Sequence, residues 1–279
     1  MGKEHLGRFT VTADPFRIRD HAIDFDRIVS EIIERSDETR RTLRMMAGVR
    51  YGDGPNESLD IFFPEPLDQP APVHIFIHGG YWRMFSKRDY SYVADTVTAA
   101  GAIAVIVDYA LMPLVRMATI VDQMRRAKAW VLAHATEFGG DPEKLTISGH
   151  SAGAHLASFL FTAGDTPSKV RGALLLGGLY DLEPLRASFL QNEVNFTDRE
   201  VANFSPLDHH HDPATQVVLA VGANETSPFP AQADKFAERL PNARRMDIAG
   251  THHMSSVRDL GLPGTEAGAL LIGLIRNHD

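Results

Sequence analysis

The sequence predicts an α/β fold in which a mostly parallel sheet carries helices on both faces. Short apolar runs such as Val73 to Ile77, Ile103 to Val107 and Arg171 to Leu176 alternate with longer stretches of helical periodicity. Glycine-rich turns follow several of these runs, as at His78-Gly79-Gly80 and Gly177-Gly178. The third sign lies mid-chain, where Leu145-Thr146-Ile147 reads as a buried strand and leads into Gly149-His150-Ser151-Ala152-Gly153. His155, Leu156, Phe159 and Leu160 then fall at helical spacing. A serine on a strand-to-helix turn needs glycine on either side, because a side chain at 149 or 153 would collide with neighbouring backbone. Ser151 is thereby projected where a substrate can reach its hydroxyl. The following helix aims unpaired N–H groups at the same place.

Taken in order, Phe25, Ile28, Val29, Ile32 and Ile33 predict an amphipathic helix from 24 to about 45. Arg50 to Pro55 reads as a turn, Leu59 to Phe63 as a strand, and Pro64, Pro66, Pro70 and Pro72 as marks of a surface loop. Val73 to Ile77 is a strand that runs into His78-Gly79-Gly80-Tyr81-Trp82, and a helix carrying Tyr90, Val93 and Val97 follows. After the strand Ile103 to Val107, a helix from about Met117 to Ala135 buries Ile120, Met124, Ala127 and Val131. Beyond Ser151 come strands over 171–176, 216–221 and 244–248, and helices over roughly 229–240 and 265–276. Residues 181–214 read as irregular, broken by Pro184, Pro206 and Pro213, a candidate cap of which 186–212 would be the mobile part. One domain over 1–279 is expected, with 1–55 as an N-terminal helical extension packed on it.

A net charge of −8 offers no basic face, so no nucleic-acid partner is expected. The chain has no cysteine, which excludes disulfides, thiolate metal sites and a cysteine nucleophile. The first thirty residues carry charges and no apolar core, and Leu6 stands where myristoylation of Gly2 would want serine or threonine. The apolar runs are strand-sized and too short for a bilayer. A soluble cytoplasmic protein without a membrane partner is the expectation.

A serine hydroxyl at its ordinary pKa is a poor nucleophile and requires a base, which in turn requires an orienting carboxylate. When the serine sits on such an elbow, acid and histidine follow it in chain order, each from a loop after a later strand. Glu225, just past the strand 216–221, is the candidate acid, with Asp181 as its rival. The base is one of the adjacent pair His252 and His253, after the last strand. Backbone N–H groups of Ala152 and of Gly79, Gly80 and Tyr81 are the candidate oxyanion donors, with His78 holding their loop. Tyr81, Trp82 and His150 are the candidate substrate-binding residues, the first two as walls of an aromatic pocket. Asp208-His209-His210-His211-Asp212 has no metal-binding spacing and reads as a solvated loop. No metal or cofactor is expected.

The segment His78-Gly79-Gly80-Tyr81-Trp82 resembles the arylformamidase (kynurenine formamidase) branch of the α/β-hydrolase fold, a relative of the hormone-sensitive-lipase group. Val107-Asp108-Tyr109, Ile120 to Trp130, Ser148 to Ala157 and Gly178 to Leu185 are similar to that branch, and the resemblance covers nearly the whole chain. It implies that Ser151 is the nucleophile, that Glu225 occupies the acid position, and that His253, three residues after a glycine, is the base. Glutamate stands at 225 where animal enzymes have aspartate, and Met254 where phenylalanine often follows the histidine. The HxGTHxDxPxH-type ligand motif of the metal-dependent formamidases is absent. The resemblance implies hydrolysis of N-formylkynurenine to kynurenine and formate, and a homodimer. A short-chain carboxylesterase on the same residues is the rival activity, and a catalytically silent binding protein of the same fold is the rival class.

Overall fold

The computed structural model describes residues 13–67 and 70–277. The readings of Gly2 and Leu6 lie outside the described residues. Strands run over Met45–Arg50 (β1), Ser58–Phe62 (β2), Ala71–Ile77 (β3), Ile103–Val107 (β4), Gly140–His150 (β5), Gly172–Leu176 (β6), Gln216–Gly222 (β7) and Ala243–Ile248 (β8). Helices are Phe25–Thr42 (α1), Val93–Ala99 (α2), Met117–His134 (α3), Ala152–Ser158 (α4), Leu190–Val194 (α5), Asp198–Phe204 (α6), Pro228–Ala237 (α7), His253–Leu260 (α8) and Glu266–Arg276 (α9). Among the described residues the strands form one sheet in the order β1-β2-β4-β3-β5-β6-β7-β8. β1 and β2 are antiparallel to their neighbours, and every pair from β4 onward across the sheet is parallel. This is the α/β-hydrolase architecture that the alternating pattern predicts.

The central strands read as unbroken apolar runs because both of their faces are covered, and every residue of β4 and β6 is buried. Parallel pairing aligns the carboxyl ends of β3, β5, β6, β7 and β8, so the loops that leave them open on one edge of the sheet. Two elements depart from the sequence reading. The first helix ends at Thr42, and Met45–Arg50 becomes an outer strand paired with β2. It slips register between Met46 and Val49 and leaves most of its side chains outward, so it has little of the alternation that marks a half-buried strand. The other is α8, which the sequence reading lacks. It is short, and its start is fixed by a reciprocal cap: the His252 ring accepts the Met254 N–H at 3.3 Å, and Ser255 Oγ accepts the His252 N–H at 2.9 Å. Arg35 on α1 donates to the carbonyls of Arg258 and Gly261, docking the N-terminal helix on α8.

The core also holds neutral histidines. His74 on β3 spans Thr146 Oγ1 at 2.8 Å and Ser148 Oγ at 2.6 Å on β5, and burial pushes its pKa down to about 3. His155 on α4 accepts the Trp82 indole N–H at Nδ1 and donates from Nε2 to the Phe204 carbonyl, and burial lowers its pKa to about 4. Both start from an ordinary value of 6.5. Above that value each ring is neutral whether the chain is folded or not. Below it the unfolded chain takes up a proton that the fold refuses, so stability falls with pH until the folded pKa is reached. Urea unfolding from pH 8 to 4.5 is expected to show a plateau above pH 7. Below pH 6.5 it should show a loss of roughly 1.4 kcal/mol per pH unit for each histidine. A flat profile down to pH 5 would refute this account.

Candidate active site

The turn from β5 into α4 carries Ser151 at φ 55° and ψ −120°, a left-handed conformation that a serine adopts only under constraint. The constraint is visible on each side. The Ser151 N–H donates to the Leu176 carbonyl at the end of β6 at 2.8 Å. A Cβ on Gly153 would strike the carbonyl oxygens of Ile77 and His78, so glycine alone lets β3 pass this close to α4.

The loop leaving β3 lies against the serine, and a Cβ on Gly79 would come within 3.3 Å of Ser151 Cβ. Gly80, Tyr81 and Trp82 are successively left-handed, with φ of 105°, 50° and 60°. Such a run turns consecutive N–H groups to one side. Among the described residues the amides of Gly80, Tyr81 and Ala152 have no acceptor. The loop is braced by His78, whose Nδ1 donates to the Gly79 carbonyl at 2.8 Å and whose ring stacks on Tyr109 at 4.2 Å.

Glu225 follows β7 and His253 opens α8 after β8. His253 Nδ1 lies 2.9 Å from Glu225 Oε2, and the other carboxylate oxygen accepts the Gly222 N–H at 3.1 Å. Both side chains are almost fully withdrawn from solvent. The carboxylate therefore keeps the proton on Nδ1 and leaves Nε2 with its lone pair. His252 turns the other way, toward Asp24 Oδ1 at 3.0 Å, so the structure separates the adjacent pair. Asp181 caps its own turn by accepting the Glu183 N–H, away from the histidine.

Ser151, His150, His253 and Gly80 line a cavity of about 30 Å³, and Ile18 and Phe25 close it from above. Ser151 Oγ and His253 Nε2 face this space without a hydrogen bond between them, a gap that commonly closes when substrate arrives. The roof belongs to the N-terminal segment. It is tied down by Thr226 Oγ1 to the Pro15 carbonyl at 2.6 Å, by the Tyr81 hydroxyl to the Phe16 carbonyl, and by the His252 contact to Asp24. From the 181–214 segment, Phe189 stands edge-on to Tyr81 at 5.5 Å.

Tyr81 and His150 both line the cavity. Trp82 is a correction. It is fully buried, edge-on to His155 at 4.9 Å and to Phe196 at 5.6 Å, and it contributes nothing to the cavity wall. The left-handed turn at 82 swings the indole into the core, where its N–H meets His155. The rings of the 208–212 loop diverge, His209 toward Phe159 and His211 between Phe161 and Phe236.

Sequence reading missed Ile18, Phe25 and Gly177. A Cβ at Gly177 would come within 2.9 Å of Glu225 Oε1 and 3.1 Å of His253 Nδ1, so this glycine makes room for the acid and base to meet. Its position directly after β6 was the available signal. For Ile18 there was none, since it stands between two arginines.

The BD-FAE family model matches residues 59–233, which is more than half of the chain. The chain belongs to the BD-FAE family. The match contains Ser151, the loop after β3 and Glu225 but stops short of His253. Kynurenine formamidase of Danio rerio is 28% identical over 245 residues, covering 83% of this chain and 82% of that protein. Esterase LipC of Mycobacterium tuberculosis is 29% identical over 265 residues, covering 82% of this chain and 64% of that one. The structure of a hyperthermophilic esterase from Pyrobaculum calidifontis superposes with a TM-score of 0.74 at 18% identity, covering 95% of this chain and 94% of that one. This BD-FAE member is accordingly an arylformamidase-like α/β-hydrolase, a hydrolase of the esterase and formamidase kind. Among its described residues no helix is long and apolar enough to cross a membrane.

Proposed function

We propose that this protein is a serine hydrolase of aryl formamides, converting N-formylkynurenine to kynurenine and formate through a formyl-enzyme. One observation carries the reading: the strained Ser151 lines the same small cavity as His253, which is paired with the buried Glu225. His253 Nε2 accepts the Ser151 proton as Oγ attacks the formyl carbon, and the amides of Gly80, Tyr81 and Ala152 receive the oxyanion. The C–N bond then breaks while His253 returns the proton to the departing aryl nitrogen. Water, deprotonated by His253, attacks the formyl ester. Formate leaves and Ser151 regains its proton.

A formyl carbon bears only hydrogen beside its oxygen, so it needs less room beside Ser151 than a longer acyl group, and the aryl ring packs on Tyr81, which lines the same cavity. The 28% identity with a protein named kynurenine formamidase supports the formamide, while the likeness to Esterase LipC keeps an ester substrate as the rival. The test is kcat/KM for N-formyl-L-kynurenine beside p-nitrophenyl butyrate. Preference for the formamide by at least tenfold is expected, because a butyryl chain needs more room than a formyl group. Ester turnover without formamide turnover would leave the serine chemistry standing and reassign the substrate.

A further inference from the structure

His150 sits at the variable position of the elbow, beside the serine, and none of the steps above uses it. Its Nε2 lies 3.1 Å from the His253 carbonyl, which can only accept, so the proton of the ring is on Nε2. Nδ1 therefore presents a bare lone pair. Burial, and then the nearby His253, hold the pKa of this imidazole well below the ordinary histidine value, so a second proton does not fill that site. Among the described residues Nδ1 has no partner, although the side chain is 98% withdrawn from solvent by its 2% residual exposure. An orphaned buried acceptor is unfavourable unless something else answers it. It is also placed at the reaction centre. The ring packs on the His253 ring at 4.5 Å and lines the cavity with Ser151. Nδ1 stands 3.0 Å from where a Cβ on Gly79 would be, and the same point is 3.3 Å from Ser151 Cβ.

We propose that His150 Nδ1 accepts the N–H of the scissile formamide, and that this contact sets the preference for an amide over the matching ester. The proposal rests on the aryl-formamide reading above. A formanilide carries one N–H on its leaving nitrogen. While that nitrogen's lone pair turns toward His253 to receive a proton, its N–H must point elsewhere. In this proposal it points to His150, whose ring packs on His253 and whose Nδ1 lies beside the Gly79 loop. An aryl formate has oxygen at this position and offers nothing to Nδ1, so the contact discriminates between substrates that share acyl group and ring.

The experiment compares kcat/KM for formanilide and phenyl formate in wild type, His150→Asn and His150→Gln. Asparagine places its carbonyl oxygen near the Nδ1 position. Glutamine places its amide near Nε2, keeping a donor for the His253 carbonyl and removing the acceptor. For His150→Gln the formamide-to-ester ratio should fall by about 10- to 100-fold, whereas His150→Asn should keep the wild-type ratio. A melting temperature within a few degrees of wild type certifies the fold of each variant, and His150→Leu repeats the loss of acceptor should glutamine fail to fold. Equal losses on both substrates would overturn the proposal and make His150 a positioning residue for His253. An unchanged ratio in the glutamine and leucine variants would overturn it as well. If wild type hydrolyses the ester but not formanilide, the formamide reading itself fails. Formanilide turnover with no sensitivity to residue 150 leaves that reading intact and removes this inference alone.

Discussion

Replacing Ser151 by alanine should remove kcat for N-formyl-L-kynurenine and for phenyl acetate alike, by about 10⁴- to 10⁶-fold, with the melting temperature within a few degrees of wild type. The size follows from the role, since without Oγ there is no acyl-enzyme. The amides of Gly80, Tyr81 and Ala152 remain and can polarise a carbonyl for direct attack by water, which leaves a small residual rate. The fold should tolerate the change. The Ser151 hydroxyl has no protein partner among the described residues, and the backbone is held by the Ser151 N–H to the Leu176 carbonyl, which alanine retains. Activity above trace level in a correctly folded variant would require another nucleophile and dismantle the assignment.

Glu225→Gln should lower kcat by about 10³- to 10⁴-fold while KM moves little. A carboxylate only accepts, so it fixes the His253 proton on Nδ1. A glutamine amide placed there can donate to Nδ1 and drive the proton to Nε2, where it blocks the step that removes the Ser151 proton. One glutamine oxygen can still accept the Gly222 N–H, which preserves the loop. A defect confined to KM would instead assign Glu225 to substrate binding. Rapid-quench measurement of the first turnover distinguishes the two.

The elbow was legible because its signal is local. Strand, glycine, serine, glycine and helix lie within a few residues, and sterics alone fix what they do. Glu225 and His253 were legible at one remove, through the rule that each partner follows a later strand. The choice between His252 and His253 needed the family spacing, and the structure gives its physical form, since one ring faces Glu225 and the other Asp24. Trp82 was misplaced because nearness in sequence to the oxyanion loop does not fix direction, and three successive left-handed residues send its ring inward. Ile18 and Phe25 were not legible, because their role exists only beside residues more than fifty positions away. Strand β1 escaped notice for a different reason. It depends on β2 for its hydrogen bonds and shows mostly outward side chains, so periodicity had little to report.

The roof over the cavity has a consequence for the order in which the site is made. Pro15, Phe16 and Asp24 leave the ribosome well before their tethers, which are Thr226, Tyr81 and His252. The last of these lies 228 positions after Asp24. The segment that shuts the cavity must therefore wait, undocked, until residue 252 has been translated. Closing so long a loop is slow compared with forming the local helices and turns. During that interval Ser151 and its neighbouring amides stand uncovered. A nascent chain stalled short of residue 252 would carry an elbow already shaped and a cavity without its lid.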